Sequence, residues 1–182
     1  DGGHYSPLAQ ITVDNVKQLQ PQWAFVPGGV GLEGEPIVMD GIMYITGGTQ
    51  VCALDARTGL RIWCVPRTNG AGVQTAARRA GAGPESASGL PVGPNRGVGI
   101  LGDRLFYTSD DAYIVCLNRL TGAVMWTRPL AEPSEKGRVY TSASVMVVGD
   151  LVITGIAGGD GPMRGFIVAY HANTGQQAWR FY

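Results

Sequence analysis

The stretches ALDARTGLRIW at 53–63, CLNRLTGAVMW at 116–126 and AYHANTGQQAW at 169–179 are three copies of one eleven-residue unit. In each copy Thr-Gly holds the sixth and seventh places and Trp the last. Ahead of each unit a Gly-containing turn joins two alternating strands: PIVMDGIMYIT at 36–46, GILGDRLFYTS at 99–109 and SVMVVGDLVITG at 144–155. The unit adds a third strand (such as QVCALD), a turn at xxTG and a fourth strand ending in Trp. Four antiparallel strands per repeat, stacked radially, are the blades of a β-propeller, so the fold class is all-β.

A blade cannot bury both faces alone, and a flat side chain at a constant place fills the gap to its neighbour. Trp23, in QPQWAF, matches the Trp slot without the preceding hairpin. It is expected to close the last blade of a ring from the N-terminal side. The chain then divides into an N-terminal segment (1–26), blade one (27–65), a long loop (66–95), blade two (96–128) and blade three (129–182). The loop is rich in Gly, Ala, Pro and Ser, carries Arg67, Arg78 and Arg79, and lacks a strand pattern. Segments of that kind are functional or disordered. Propellers have roughly four to eight blades, so three blades are expected to be part of a larger ring. The face behind WRFY would otherwise stand open.

The bulk chemistry narrows the function. Fourteen basic and fourteen acidic residues in 182 give zero formal charge, against a nucleic-acid or anionic-membrane binder. The apolar runs are strand-sized, which argues against a transmembrane helix, and no signal-peptide pattern is seen. The 28 glycines fall in turn-like places. Cys52, Cys64 and Cys116 form no CxxC pair and are expected to be apolar filler within strands. His4 and His171 make no metal motif.

The segments between the repeats are more specific. HYSPLAQITVDNVKQLQPQWAF, LEGEPIVMDGIMYIT, NRGV, GGDGPMRGFIVAYHANTG and WRFY resemble the eight-bladed quinoprotein alcohol dehydrogenases, which use pyrroloquinoline quinone (PQQ). The eleven-residue unit resembles that family's tryptophan-docking motif, which cofactor-free propellers of bacterial outer-membrane assembly also use. The resemblance implies a quinone-contacting Glu33 in LEGEP. It implies that Arg96, in NRG, grips a quinone carboxylate, for which a guanidinium is well shaped. In GIAGGDGPMRGF, Gly158 and Gly159 allow close backbone approach. Asp160, a hard oxygen ligand one methylene shorter than the family's common Glu, would reach a Ca2+ or lanthanide ion. Ser142 falls where the family often has a quinone-bonded Thr, with Thr141 and Ser144 as alternatives. Ala157 stands where some members have Ser, and Leu90-Pro91 replace an adjacent cysteine pair that caps the quinone in many.

By the same resemblance the complete protein oxidises a small alcohol by hydride transfer to the quinone. The metal acts as Lewis acid and a buried Asp as base. Electrons leave to a c-type cytochrome, and the location is periplasmic. The base and the remaining ligands are expected beyond Tyr182, as is any haem domain, since no CxxCH is present. No catalytic residue is therefore assigned here, and this stretch alone is expected to be inactive. Asp110 and Asp111 in TSDDAY read as a solvated turn. Two other readings stay open: a cofactor-free protein-binding scaffold, and a non-enzymatic quinone or metal sensor.

Overall fold

Each eleven-residue unit folds as the second half of a four-stranded meander. The structure, a computed structural model, describes residues 7–27, 33–47, 49–67, 95–109, 111–132, 140–157 and 164–182. Blade one is β1 (Ile37–Met39), β2 (Ile42–Thr46), β3 (Gln50–Asp55) and β4 (Arg61–Pro66). Blade two is β5 (Gly99–Leu101), β6 (Arg104–Thr108), β7 (Tyr113–Asn118) and β8 (Val124–Pro129). Blade three is β9 (Met146–Val148), β10 (Leu151–Gly155), β11 (Ile167–His171) and β12 (Gln177–Phe181). The strands of each sheet pair in sequence order, and all pairs are antiparallel. The architecture is that of β-propeller blades.

The period of two explains why the centres of the middle strands are apolar on both faces. On β6 and β7 of blade two, Leu105, Tyr107, Val115 and Leu117 pack against Tyr44, Val51 and Ala53 of blade one. The alternate residues Phe106, Ile114 and Cys116 pack with Trp126 against Val152, Val168 and Tyr170 of blade three. A sheet covered on both faces has no polar side to present, so its strands read as continuous hydrophobic runs.

The Thr-Gly turn explains the constant frame. Gly59, Gly122 and Gly175 have φ of 71°, 74° and 67°, which a side chain rarely tolerates. Their N–H groups donate at 2.8 Å to the carbonyls of Asp55, Asn118 and His171. In blade one the Asp55 carboxylate accepts from the N–H groups of Arg57 and Thr58 and from the Thr58 hydroxyl. Asn118 Oδ1 repeats this in blade two with Leu120 and Thr121.

Each such glycine is also the floor for a tryptophan from earlier in the chain. A Cβ on Gly122 would lie 2.9 Å from the Trp63 ring, and one on Gly175 2.7 Å from the Trp126 ring. The indole N–H of Trp63 donates to Arg119 O and that of Trp126 to Ala172 O, both at 3.0 Å. Trp23 sits on Gly59 in the same way and donates to Ala56 O at 3.2 Å. Trp179, in the same slot on β12, is 38% exposed.

The cysteines differ from the expectation. Cys52 and Cys64 stand directly opposite each other on β3 and β4 and are joined by a disulfide. Read along the strands they look like filler; the hairpin's register brings them together. Cys116 alone is a buried free thiol, and burial pushes its pKa up to about 12.

Candidate functional site

The first strand of each blade is short, three residues in each case. Pro36 and Ile37, Gly99 and Ile100, and Met146 and Val147 all line one cleft of about 680 Å3, so the three first strands converge. Gly99 allows this, because a Cβ there would lie 2.9 Å from Val147. The segments just before these strands carry Glu33, Arg96 and Ser142.

The fold brings these three side chains together. Arg96 Nη2 pairs with Glu33 Oε2 at 3.0 Å. Arg96 Nη1 donates to Ser142 Oγ at 2.6 Å and to Ser142 O at 3.2 Å. One guanidinium from blade two thus spans the lead-in segments of blades one and three. The Arg96 and Glu33 side chains are 50% and 49% exposed, so the cluster faces open space rather than the core.

Beneath this exposed layer lies a buried polar one. Asn95 Nδ2 donates to Thr108 O at 2.9 Å and to Thr108 Oγ1 at 3.1 Å, and Asn95 Oδ1 accepts from the Gly97 N–H at 3.0 Å. The Thr46 hydroxyl donates to Asn95 O at 3.2 Å, and the Thr108 hydroxyl to Ala143 O at 3.0 Å. Gly34 is required here, since a Cβ would collide with Thr46 Oγ1 and crowd Asn95 O. Asn95, Thr46 and Thr108 are all buried. Buried polar groups must find partners, so this layer holds the loops in one arrangement.

Of the alternatives to Ser142, Thr141 turns its hydroxyl onto Gly155 O at 2.8 Å, within its own blade. Thr154 points its hydroxyl at the Ser144 carbonyl at 3.4 Å. Ser142 is the one that meets Arg96. The Ala157 N–H donates to Tyr140 O at 2.9 Å. Asp111 accepts from the Ser109 hydroxyl at 2.5 Å, as a local turn contact. Gly158, Gly159 and Asp160 lie outside the described residues, as do Leu90-Pro91 and Asp110. Among the described residues there is no group of three or more His, Cys, Asp or Glu suited to a metal.

The donor set fits an anionic ligand bearing carboxylates. Arg96 Nη2 already donates to a carboxylate, that of Glu33, which shows that one fits there. A hydroxyl beside it supplies a second, neutral partner.

Sequence reasoning singled out Glu33, Arg96 and Ser142 separately and missed that Glu33 and Arg96 pair with each other. It also passed over Asn95, Thr46 and Thr108. The signal available was a Thr at the end of the second strand in both IMYIT and RLFYT.

The fold and the cleft define a segment of a β-propeller with an arginine-centred cluster where the first strands of three blades converge. Comparison with known proteins then gives the family. The model of the PQQ family, described as the glucose/ethanol/alcohol dehydrogenase β-propeller domain, matches residues 1–182, and the chain belongs to that family. It is 38% identical over 98% of its length to the quinoprotein alcohol dehydrogenase PedH of Pseudomonas putida, spanning 28% of that protein. It is 36% identical over 93% of its length to a 1-butanol dehydrogenase (cytochrome c) of Thauera butanivorans, spanning 23% of it. Among solved structures, the quinohemoprotein alcohol dehydrogenase ADHIIG of Pseudomonas putida superposes with a TM-score of 0.80 at 34% identity, covering 98% of this chain and 24% of that one. A europium-containing methanol dehydrogenase gives 0.79 at 29% identity, covering 98% and 29%. The chain spans about a quarter of the length of the curated relatives it matches.

Proposed function

We propose that this chain is the N-terminal part of the eight-bladed propeller of a PQQ-dependent alcohol dehydrogenase that oxidises a small alcohol and passes electrons to a c-type cytochrome. The observation that carries the reading is Arg96, held at the hub between Glu33 and Ser142 where three adjacent blades converge. Family membership over the whole chain supports it.

When bound, PQQ would supply the two-electron acceptor for the alcohol, with a Ca2+ or lanthanide ion beside it as Lewis acid. The chain's own residues would do the holding. Arg96 would hold a carboxylate by charge-assisted hydrogen bonds and Ser142 would offer a hydroxyl next to it. Glu33 would keep the guanidinium oriented and touch the ligand from blade one. Gly158 and Gly159 would admit a close backbone approach, and Asp160 would ligate the ion. The europium in one solved relative favours keeping both ion classes in view. The name of the Thauera relative supports a cytochrome partner. The Cys52–Cys64 disulfide supports an oxidising compartment, in keeping with a periplasmic location.

The test is the full-length protein, stripped of metal and reconstituted with PQQ and either Ca2+ or La3+. Alcohol-dependent reduction of an artificial electron acceptor dye is expected only when quinone and ion are both present. PQQ retained without dye reduction by any alcohol would indicate a sensor. No retention with either ion would leave a scaffold.

A further inference from the structure

We propose that Asn95 and Thr108 are positioning residues, a buried relay that fixes Arg96 against Ser142 and sets the spacing of the ligand-bearing segments of blades one, two and three toward a carboxylate-bearing ligand. The proposal rests on the reading of Arg96 given above.

The relay begins on blade one. Thr46, the last residue of β2, donates to Asn95 O, the carbonyl immediately before Arg96. The loop carrying Glu33 lies on the same spot, because Gly34 packs against Thr46 Oγ1, Asn95 O and Gly97 N. The Asn95 side chain then closes back on Gly97 N, so Arg96 is bracketed on both sides by one amide. The other end of that amide reaches Thr108, the last residue of β6.

Thr108 hands the connection to blade three. Its hydroxyl accepts from Asn95 Nδ2 and donates to Ala143 O, so its one proton and an acceptor site are both used. The Ala143 N–H in turn donates to Thr141 Oγ1 at 3.2 Å. Both polar groups of Ala143 are therefore tied, and Ser142 between Thr141 and Ala143 has a fixed backbone from which to meet Arg96. Thr46 and Thr108 hold the same register position in successive blades, each reaching into the lead-in segment of the next. In blade three that position is Gly155, which accepts from Thr141 instead of donating. The relay thus runs from blade one to the lead-in segment of blade three.

An exposed arginine on an untethered loop would lose much of its affinity in ordering its side chain. A buried, fully bonded support avoids that loss and makes the support visible as affinity rather than stability alone.

The experiment measures the Kd of PQQ by quenching of protein fluorescence, in the full-length protein with saturating Ca2+. Thr108→Val keeps shape and loses both hydroxyl bonds; about tenfold weaker binding is expected. Thr108→Ser, which keeps the hydroxyl, is expected to restore the wild-type Kd. In an Arg96→Ala background, Thr108→Val is expected to add clearly less than its full loss, because the relay acts chiefly through Arg96. Wild-type affinity in folded Thr108→Val, or a loss that adds in full to that of Arg96→Ala, would overturn the proposal. If Thr108→Val does not fold, Asn95→Ser carries the same comparison, since its short side chain cannot reach Thr108. Failure of the wild-type protein itself to bind PQQ would instead bring down the reading of Arg96, and this proposal with it.

Discussion

Replacing Gly175 by Ala isolates the contact that sets the repeat frame. Two costs arise at this position. The first is backbone: φ of 67° is left-handed, and a Cβ there costs about 1–2 kcal/mol. The second is steric: the new Cβ would lie 2.7 Å from Cδ2 and Cε3 of Trp126, a ring only 8% exposed and bonded to Ala172 O. Overpacking of that kind adds about 1–3 kcal/mol. Gly149→Ala in the same blade separates the two, since φ there is 60° and nothing lies within 4 Å. Gly175→Ala should therefore cost about 2–5 kcal/mol and Gly149→Ala about 1–2. The assay is urea unfolding of the full-length protein followed by far-UV circular dichroism. In a Trp126→Ala background the excess at Gly175 should vanish, leaving only the backbone cost. Equal effects at Gly175 and Gly149, or an excess that survives loss of Trp126, would show that the indole does not dock on this turn.

Other outcomes follow from the same structure. Asp55 has its pKa lowered, first by the Thr58 hydroxyl and then by the Thr58 N–H. Its contribution to stability is therefore present above its unfolded pKa and lost as pH falls through the folded one. Asp55→Asn, which installs the residue blade two already uses, should flatten this acid-side dependence in melts below pH 4 while keeping the turn. Disruption of the Cys52–Cys64 link, with a sequence separation of 12, should cost about 3 kcal/mol. Dithiothreitol should then lower the wild-type melting point but leave that of the Cys52→Ser/Cys64→Ser variant unmoved. Cys116, buried and with its pKa pushed up to about 12, should resist a thiol reagent at pH 8 until the protein unfolds. Rapid labelling of the native protein would contradict its placement.

What the sequence disclosed and what it hid divide along a physical line. Local pattern shows in a sequence: the Thr-Gly turn needs its glycine, the Trp needs a constant offset, and alternation marks the strands. Blades, their order and the slot of Trp23 were legible for that reason. Contacts between blades are set by radial packing and leave little local trace. The Glu33–Arg96 pair, the Thr46–Asn95 bond and the Thr108–Ala143 bond all join segments tens of residues apart. Cys52 and Cys64 fall between these cases. They flank the eleven-residue unit symmetrically, so the register Ala53↔Trp63 would have placed them opposite each other. Arg119 is a further example: it reaches Asp40, Tyr44 and Gly102 from the turn of blade two, and only the assembled blades show why an arginine stands there. Glu33, Arg96 and Ser142 were visible through resemblance, not through any pattern of their own.

Whether the hub holds the quinone through Arg96 is best decided by cofactor retention. The full-length protein would be loaded with PQQ and Ca2+ or La3+, desalted, and read for bound quinone absorbance beside Arg96→Ala and Asp160→Ala. Ion-dependent retention by the wild type and its loss in both variants is the expected result. Loss of charge-assisted bonds at Arg96 should weaken binding by about 2 kcal/mol, enough to clear the quinone on desalting. Retention by Arg96→Ala equal to that of the wild type would mean that the cluster at the hub does not hold the cofactor.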